Sequence, residues 1–147
     1  MRRQQAQTLA LIDALLRIRH ELLYRLTPLP EIFTVLGGSR NREIADFFSQ
    51  LASMLSSMQA CTVSYACRKA FAQTRGLCLS SAARDTLLSL FDSLGKYDTE
   101  GSVQAIDLAL SRLREEAKAL QSGAAARCRT YLTLGICTGL AMAVILI

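Results

Sequence analysis

The stretch "SVQAIDLALSRLREEAKAL", Ser102–Leu120, decides the fold class. Val103, Ile106, Leu110, Leu113, Ala117 and Leu120 recur every three or four residues, which lines them along one face of an α-helix. Arg112, Arg114, Glu115, Glu116 and Lys118 fall on the other side, a mixture of charges suited to water. Such a helix must lay its apolar face against other elements. Just upstream, "LGKYD" (Leu94–Asp98) supplies Gly95 to end the preceding helix, and Asp98 or Thr99 can cap this one.

No proline follows Leu120, so the helix is expected to continue, with a weak point at Ser122-Gly123. Residues 130–147, "TYLTLGICTGLAMAVILI", carry no charge, and eight of these 18 are Leu, Ile or Val. As helix they span about 27 Å, close to the ~30 Å of a bilayer hydrocarbon core. A buried core helix this apolar would have to be covered on all sides by the 129 residues before it. The expectation is therefore a helical domain over 1–129 and a transmembrane anchor over 130–147. Arg127 and Arg129, just ahead of the anchor, suit its cytoplasmic boundary and place the helical domain in the cytoplasm. Gly135 and Gly139 form a G-x-x-x-G face on which another membrane helix, including a second copy of this one, can pack closely. The first thirty residues are amphipathic and charged, unlike a signal peptide.

Upstream the helical period repeats. From Gln4 to Leu26 apolar residues recur at Leu9, Ile12, Leu16, Leu23 and at Leu11, Leu15, Ile18, Leu22, a broad stripe. The chain's two prolines then interrupt it in "LTPLPEIF" (Leu26–Phe33). Proline disfavours helical geometry in the residue before it, which biases Thr27 and Leu29 toward extended backbone. Pro28 or Pro30 can open the next helix, with Thr27 as cap if it starts at Pro28, and Glu31 in the first turn complements the dipole. A rigid corner is expected, with Leu29 pinned into the bundle or presented at the corner. A short helix then stops at Gly37-Gly38. Ile44, Phe47, Phe48, Leu51, Leu55 and Met58 mark a second long helix. Val63, Ala66, Cys67, Ala70 and Phe71 mark a third, whose small residues allow close approach. Gly76 separates this from a fourth, capped by Ser80 or Ser81 and apolar at Leu87, Leu90, Phe91 and Leu94. The whole is all-α: an antiparallel bundle of about five to six helices whose last helix continues as the membrane anchor.

The chemistry of catalysis is absent from the pattern. His20 is the single histidine, and "HELLY" lacks the second histidine of a zinc-protease helix. No serine lies in a G-x-S-x-G turn, and "LGGSRN" lacks the lysine of a phosphate loop. Five cysteines (Cys61, Cys67, Cys78, Cys128, Cys137) form no C-x-x-C pair and no disulfide framework. No catalytic, metal or cofactor residue is assigned. Seventeen basic against 12 acidic residues give a net +5, but without a basic run interleaved with aromatics, so nucleic acid is not the expected partner.

Three separated landmarks carry a resemblance. Thr27, Pro28, Leu29, Pro30 and Glu31 match a T-P-L-P-E pattern after a first helix. Leu94, Gly95 and Asp98, with Gln104 beyond, match an L-G-x-S-D segment before a last soluble helix, one residue shifted. Leu134, Gly135, Gly139 and Leu140 match an L-G-x-x-x-G-L run at the chain's end. In these landmarks, and over nearly its whole length, the chain resembles the stage III sporulation protein AB family. That family usually begins with a membrane helix that has no counterpart here, and its third-helix Trp reads Tyr65. The resemblance implies a non-enzymatic platform component of the secretion-like channel between mother cell and forespore, similar to the F-type platform of type II secretion systems. It also implies a place in the mother-cell membrane facing the forespore, beside other channel subunits and a cytoplasmic ATPase. The other function the residues suit is a tail-anchored regulatory protein whose groove binds a partner's amphipathic helix at the membrane surface.

Overall fold

In a computed structural model, which describes residues 2–57, 62–96 and 98–146 (without the side chains of 124, 125, 127, 128 and 131), all regular structure is helical. The elements are α1 (Arg2–His20), a π-helical turn (Glu21–Arg25), α2 (Leu29–Leu36), α3 (Arg42–Ser56), α4 (Val63–Gln73), α5 (Ser81–Leu94) and α6 (Thr99–Leu146). Met58 and Cys61, assigned to the second long helix and the cysteine inventory, lie outside the described residues.

The helices alternate in direction. Arg19 Nε donates to Asp107 Oδ1 at 2.7 Å, joining the end of α1 to the start of α6. At the opposite end Ser80 Oγ donates to Glu116 Oε1, and Arg3 of α1 pairs with Glu43 of α3. The up-down order therefore holds from α1 to α6. The end of the bundle at which α6 leaves is called proximal here, and the end carrying the two prolines distal.

Caps punctuate the helices where short polar side chains were expected. Ser80 Oγ accepts from Ala83 N–H at 3.0 Å and Asp98 Oδ1 from Gly101 N–H at 3.0 Å, resolving both alternatives in favour of the earlier residue. Asn41 and Thr62 cap α3 and α4 in the same way, each accepting at 3.2 Å. Gly76 has φ +86°, a conformation that favours glycine, and turns the chain between α4 and α5. Gly37 serves a different purpose. Its backbone is right-handed, but an added Cβ would collide with Ser49 Oγ, so glycine lets α2 lie close on α3.

Core packing is dominated by aromatic rings. All five phenylalanines join one chain of ring contacts: Phe71 to Phe47 at 4.9 Å, Phe47 to Phe48 at 5.3 Å, Phe48 to Phe33 at 5.8 Å and Phe33 to Phe91 at 5.7 Å. This ties α2, α3, α4 and α5 together. Burying each ring fully is worth about 1.5–3 kcal/mol, against roughly 0–1 kcal/mol for an exposed ion pair. The rings, not the surface pairs, hold the fold. Ala66, Cys67 and Ala70 are buried where α4 passes between α3 and α5, the close approach that their size predicted. Burial pushes the Cys67 thiol well above its ordinary range, so it acts as a small apolar residue.

Two expectations are corrected, and a third finds no support. The first α-helix stops at His20 rather than running regularly to Leu26; a π-helical turn follows, and Leu26 has φ 50°. Proline 28 cannot donate to a continuing helix, so the chain must leave helical geometry before it. The broad stripe on α1 also divides in two. Leu11, Leu15 and Ile18 are fully buried, whereas Leu9 and Leu16 are 46% and 40% exposed. Leu9 borders an open pocket facing the α2–α3 loop and Leu16 the groove between α1 and α2, so that row stays accessible. Finally, no helix among the described residues is long and apolar enough to cross a membrane. What α6 does show is continuity: it passes Ser122-Gly123 without a break and remains helical to Leu146.

Candidate docking site

The distal corner is built by the proline stretch. Pro28, with φ −59° and ψ 143°, is the N-cap of α2; its carbonyl accepts from Glu31 and Ile32 N–H at 3.1 and 3.2 Å. Pro30 stands in the first turn, where a missing N–H is harmless. Thr27 does not cap this helix. Its hydroxyl turns back and donates to Glu21 Oε2 at 3.0 Å, fastening the corner to the π-helical turn. Leu29 is half-buried against the core.

Across the corner lies the start of α6. Leu22, Leu26, Thr27, Pro28 and Leu29 line one side of an open pocket of about 320 Å³; Leu94, Asp98, Thr99 and Ser102 line the other. Two sequence landmarks that are some seventy residues apart thus meet in space. The assigned residues divide accordingly. Thr27, Pro28, Leu29, Leu94 and Asp98 come together, and Asp98 doubles as the α6 cap. Pro30 and Glu31 sit in the first turn of α2, outside the pocket lining, with Glu31 exposed. Gly95 borders a neighbouring pocket of about 210 Å³ with Leu55, Val63 and Lys96; its backbone is right-handed and a Cβ there would meet only ordinary contacts. Gln104 is exposed on α6, away from the pocket. Tyr24 and Leu26, 74% and 72% exposed, add apolar surface beside the corner.

A second groove runs between α1 and α2. Leu16, His20, Ile32, Val35 and Leu36 line about 370 Å³ of it, and Val35 is exposed. His20 stacks near Tyr24, with ring centroids 4.8 Å apart, and is a surface residue. No group of metal-ligating side chains occurs among the described residues. Gly135 and Gly139 lie on the exposed end of α6, with nothing within 4 Å of an added Cβ on either.

One residue that holds the fold together had no signal in the sequence. Gln7 is fully buried in α1, its amide donating to Gly76 O at 2.9 Å and its carbonyl accepting from Cys78 N–H at 2.7 Å. It clamps the α4–α5 loop at the proximal end. No local signal marks it, because both partners are about seventy residues distant. Nearby, the hydrogen bond from Arg3 and a backbone hydrogen bond hold the Glu43 carboxyl below its ordinary value, and the same pairing raises Arg3.

Over its described residues the chain is thus an up-down bundle of six α-helices, with open pockets at one end and an apolar helical extension at the other. The chain belongs to the stage III sporulation protein AB family, whose model matches residues 1–147. A solved structure titled stage III sporulation protein AB (SpoIIIAB) is similar, with a TM-score of 0.74 and 20% identity, covering 82% of this chain and 94% of that one. At that identity the likeness is one of fold. No curated protein matches the chain significantly. The family is one of sporulation proteins and is not a known enzyme family.

Proposed function

We propose that this protein is a non-enzymatic platform component of the sporulation channel complex in the mother-cell membrane. Residues 130–147 anchor it, and the bundle faces the cytoplasm to dock other subunits, including a cytoplasmic ATPase. The observation that carries this reading is the distal pocket. Residues of two family landmarks converge there, at the end of the bundle farthest from the apolar extension, where a cytoplasmic partner has free access. The anchor is supported by the exposed Leu132, Leu134, Ile136, Leu140, Val144, Ile145 and Leu146, which no other part of the bundle covers. The Gly135–Gly139 face is the surface on which such anchors pack together. The α1–α2 groove favours a second reading, in which a partner's amphipathic helix lies against Leu16 and Val35.

Co-purification of the full chain with channel subunits from sporulating cells tests the platform. Replacing Leu29 by Glu should abolish capture of the ATPase while leaving helicity intact. Undiminished capture by Leu29→Glu, with loss on replacing Val35 by Glu, would transfer the docking site to the α1–α2 groove. Failure of the parent chain to capture any subunit would remove the platform reading.

A further inference from the structure

Charge is distributed unequally between the two ends of the bundle. Arg2 opens α1, Arg42 opens α3 and Arg75 precedes Gly76 in the α4–α5 loop; all three are exposed at the proximal end. Their assembly there follows from local contacts: a Cβ on Gly76 would lie 3.2 Å from Arg3 Nη2 and 3.4 Å from Glu43 Cγ. Arg40 approaches the same end on the α2–α3 loop, and Lys118 projects from α6. The acidic groups facing them are few. Glu43 is taken by Arg3 and Glu116 by Ser80; Asp46, Asp85 and Glu115 lie further along their helices. The distal end is the reverse, with Glu21, Glu31, Asp92, Asp98, Glu100 and Asp107 against Arg19, Arg25 and Lys96.

The register of α1 on α6 places this basic end along the helix. With Arg19 opposite Asp107, antiparallel packing brings Arg3 to about the level of Gly123 at 1.5 Å per residue. The charge-free segment begins seven residues further on, at Thr130, or about 10 Å away. Headgroups occupy roughly 5–8 Å outside the hydrocarbon core, and the Debye length is about 8 Å at physiological ionic strength. The arginines therefore fall within reach of headgroup charge whenever the extension is inserted.

We propose that the proximal end of the bundle, through Arg2, Arg42 and Arg75, docks on an anionic phospholipid surface. The surface sets the orientation of the bundle and turns the distal pocket toward the cytoplasm. This rests on the anchor reading above. No one of these arginines belongs to a basic run in the sequence; the fold collects them from three separate segments.

The test uses the full chain reconstituted in phosphatidylcholine vesicles with or without phosphatidylglycerol. The reaction of Cys78, exposed at this end, with N-ethylmaleimide is followed by peptide mass spectrometry. Each arginine near an anionic leaflet is worth about a fivefold bias, so three together predict protection of Cys78 by roughly tenfold or more after screening. High salt should remove the protection, and so should the Arg2→Gln/Arg42→Gln/Arg75→Gln variant. Equal rates in the two lipids overturn the proposal. So does protection by an RNA oligonucleotide under conditions where phosphatidylglycerol gives none. Extraction of the chain from both vesicles by alkaline carbonate refutes the anchor instead; lipid-dependent, salt-sensitive protection of Cys78 would then still stand.

Discussion

Replacing Gln7 by Ala should destabilise the bundle and loosen one particular loop. The side chain makes two hydrogen bonds, to Gly76 O and from Cys78 N–H, each worth about 0.5–1.5 kcal/mol net. Left without partners inside the protein, the two backbone groups would cost about 1–3 kcal/mol apiece. Gly76 and Cys78 are exposed residues, however, so water can reach them once the loop moves, and the lower end of the range applies. The removed side-chain atoms also leave a small void beside the fully buried Thr8 and Leu11. The expected loss is about 2–3 kcal/mol, or roughly 5–10 °C in melting temperature for a chain of this size. Circular dichroism in detergent measures that loss, and amide exchange locates it. The Cys78 amide should exchange much faster, while amides in α2 and α3 keep their order of protection. Gln7→Glu separates the two bonds: it keeps an acceptor for Cys78 N–H but loses the donor to Gly76 O and buries a charge. Its Cys78 amide should stay better protected than in Gln7→Ala even where its stability is lower. A Gln7→Ala variant within ~0.5 kcal/mol of the parent, with unchanged exchange at Cys78, would show that the loop is held by other means.

Gly37→Ala should cost about 1–3 kcal/mol, because its Cβ meets Ser49 Oγ; adding Ser49→Ala should recover much of that, as a double-mutant cycle on thermal melts would measure. Asp98→Ala removes the α6 cap and should cost about 1 kcal/mol, whereas Asp98→Asn, which keeps an acceptor oxygen, should retain most of the stability. The Arg3–Glu43 pair makes stability pH-dependent. With the Glu43 carboxyl below its ordinary 4.5 in the folded state, its contribution is complete above the unfolded value and is lost as the pH falls through the folded one. Glu43→Gln should therefore flatten the acid limb of the melting profile below about pH 4.5 and leave the neutral region's slope unchanged.

What was legible in the sequence is what short-range physics decides. Apolar spacing announced the helices, and Ser80 and Asp98 announced two of their starts, because a cap needs only its own side chain and an N–H three residues on. Gly76 was readable for the same reason. The misreadings all depend on what lies across the bundle. Leu9 and Leu16 have the same period as Leu11 and Leu15, but they face open grooves beside the α2–α3 loop and α2, whereas the second pair faces the core. Thr27 is an acceptable cap by type, but Glu21, brought close by the π-helical turn, takes its hydroxyl. Gly37 ends α2 as expected, but its second part, as a spacer that lets α2 lie close on α3, depends on Ser49 across the packed helices and had no local signal. The distal pocket is the largest such gap. Its two landmarks were visible separately, and nothing in either indicated that α5 would carry Leu94 back to face Pro28.

The parity of the bundle links these features to function. Six antiparallel helices return the chain to the end from which it started, so α6 leaves beside Arg2 and Arg3 rather than beside Pro28. One helix fewer would have carried the apolar extension out of the distal end, beside the pocket and its acidic border. The short α2 is what secures the even count. It spans only Leu29–Leu36, yet it reverses the chain between α1 and α3, and it can do so because Pro28 and Pro30 open it without a helical approach. Its anchoring is correspondingly strong: Ile32, Phe33 and Leu36 are buried, and Phe33 touches both Phe48 and Phe91. Phe33→Ala should accordingly cost about 3–5 kcal/mol, far more than any surface ion pair here. The consequence for function is specific. Loosening α2 should impair the distal corner before it affects the basic proximal end, because the Gln7 clamp and the Arg3–Glu43 pair hold that end independently of α2.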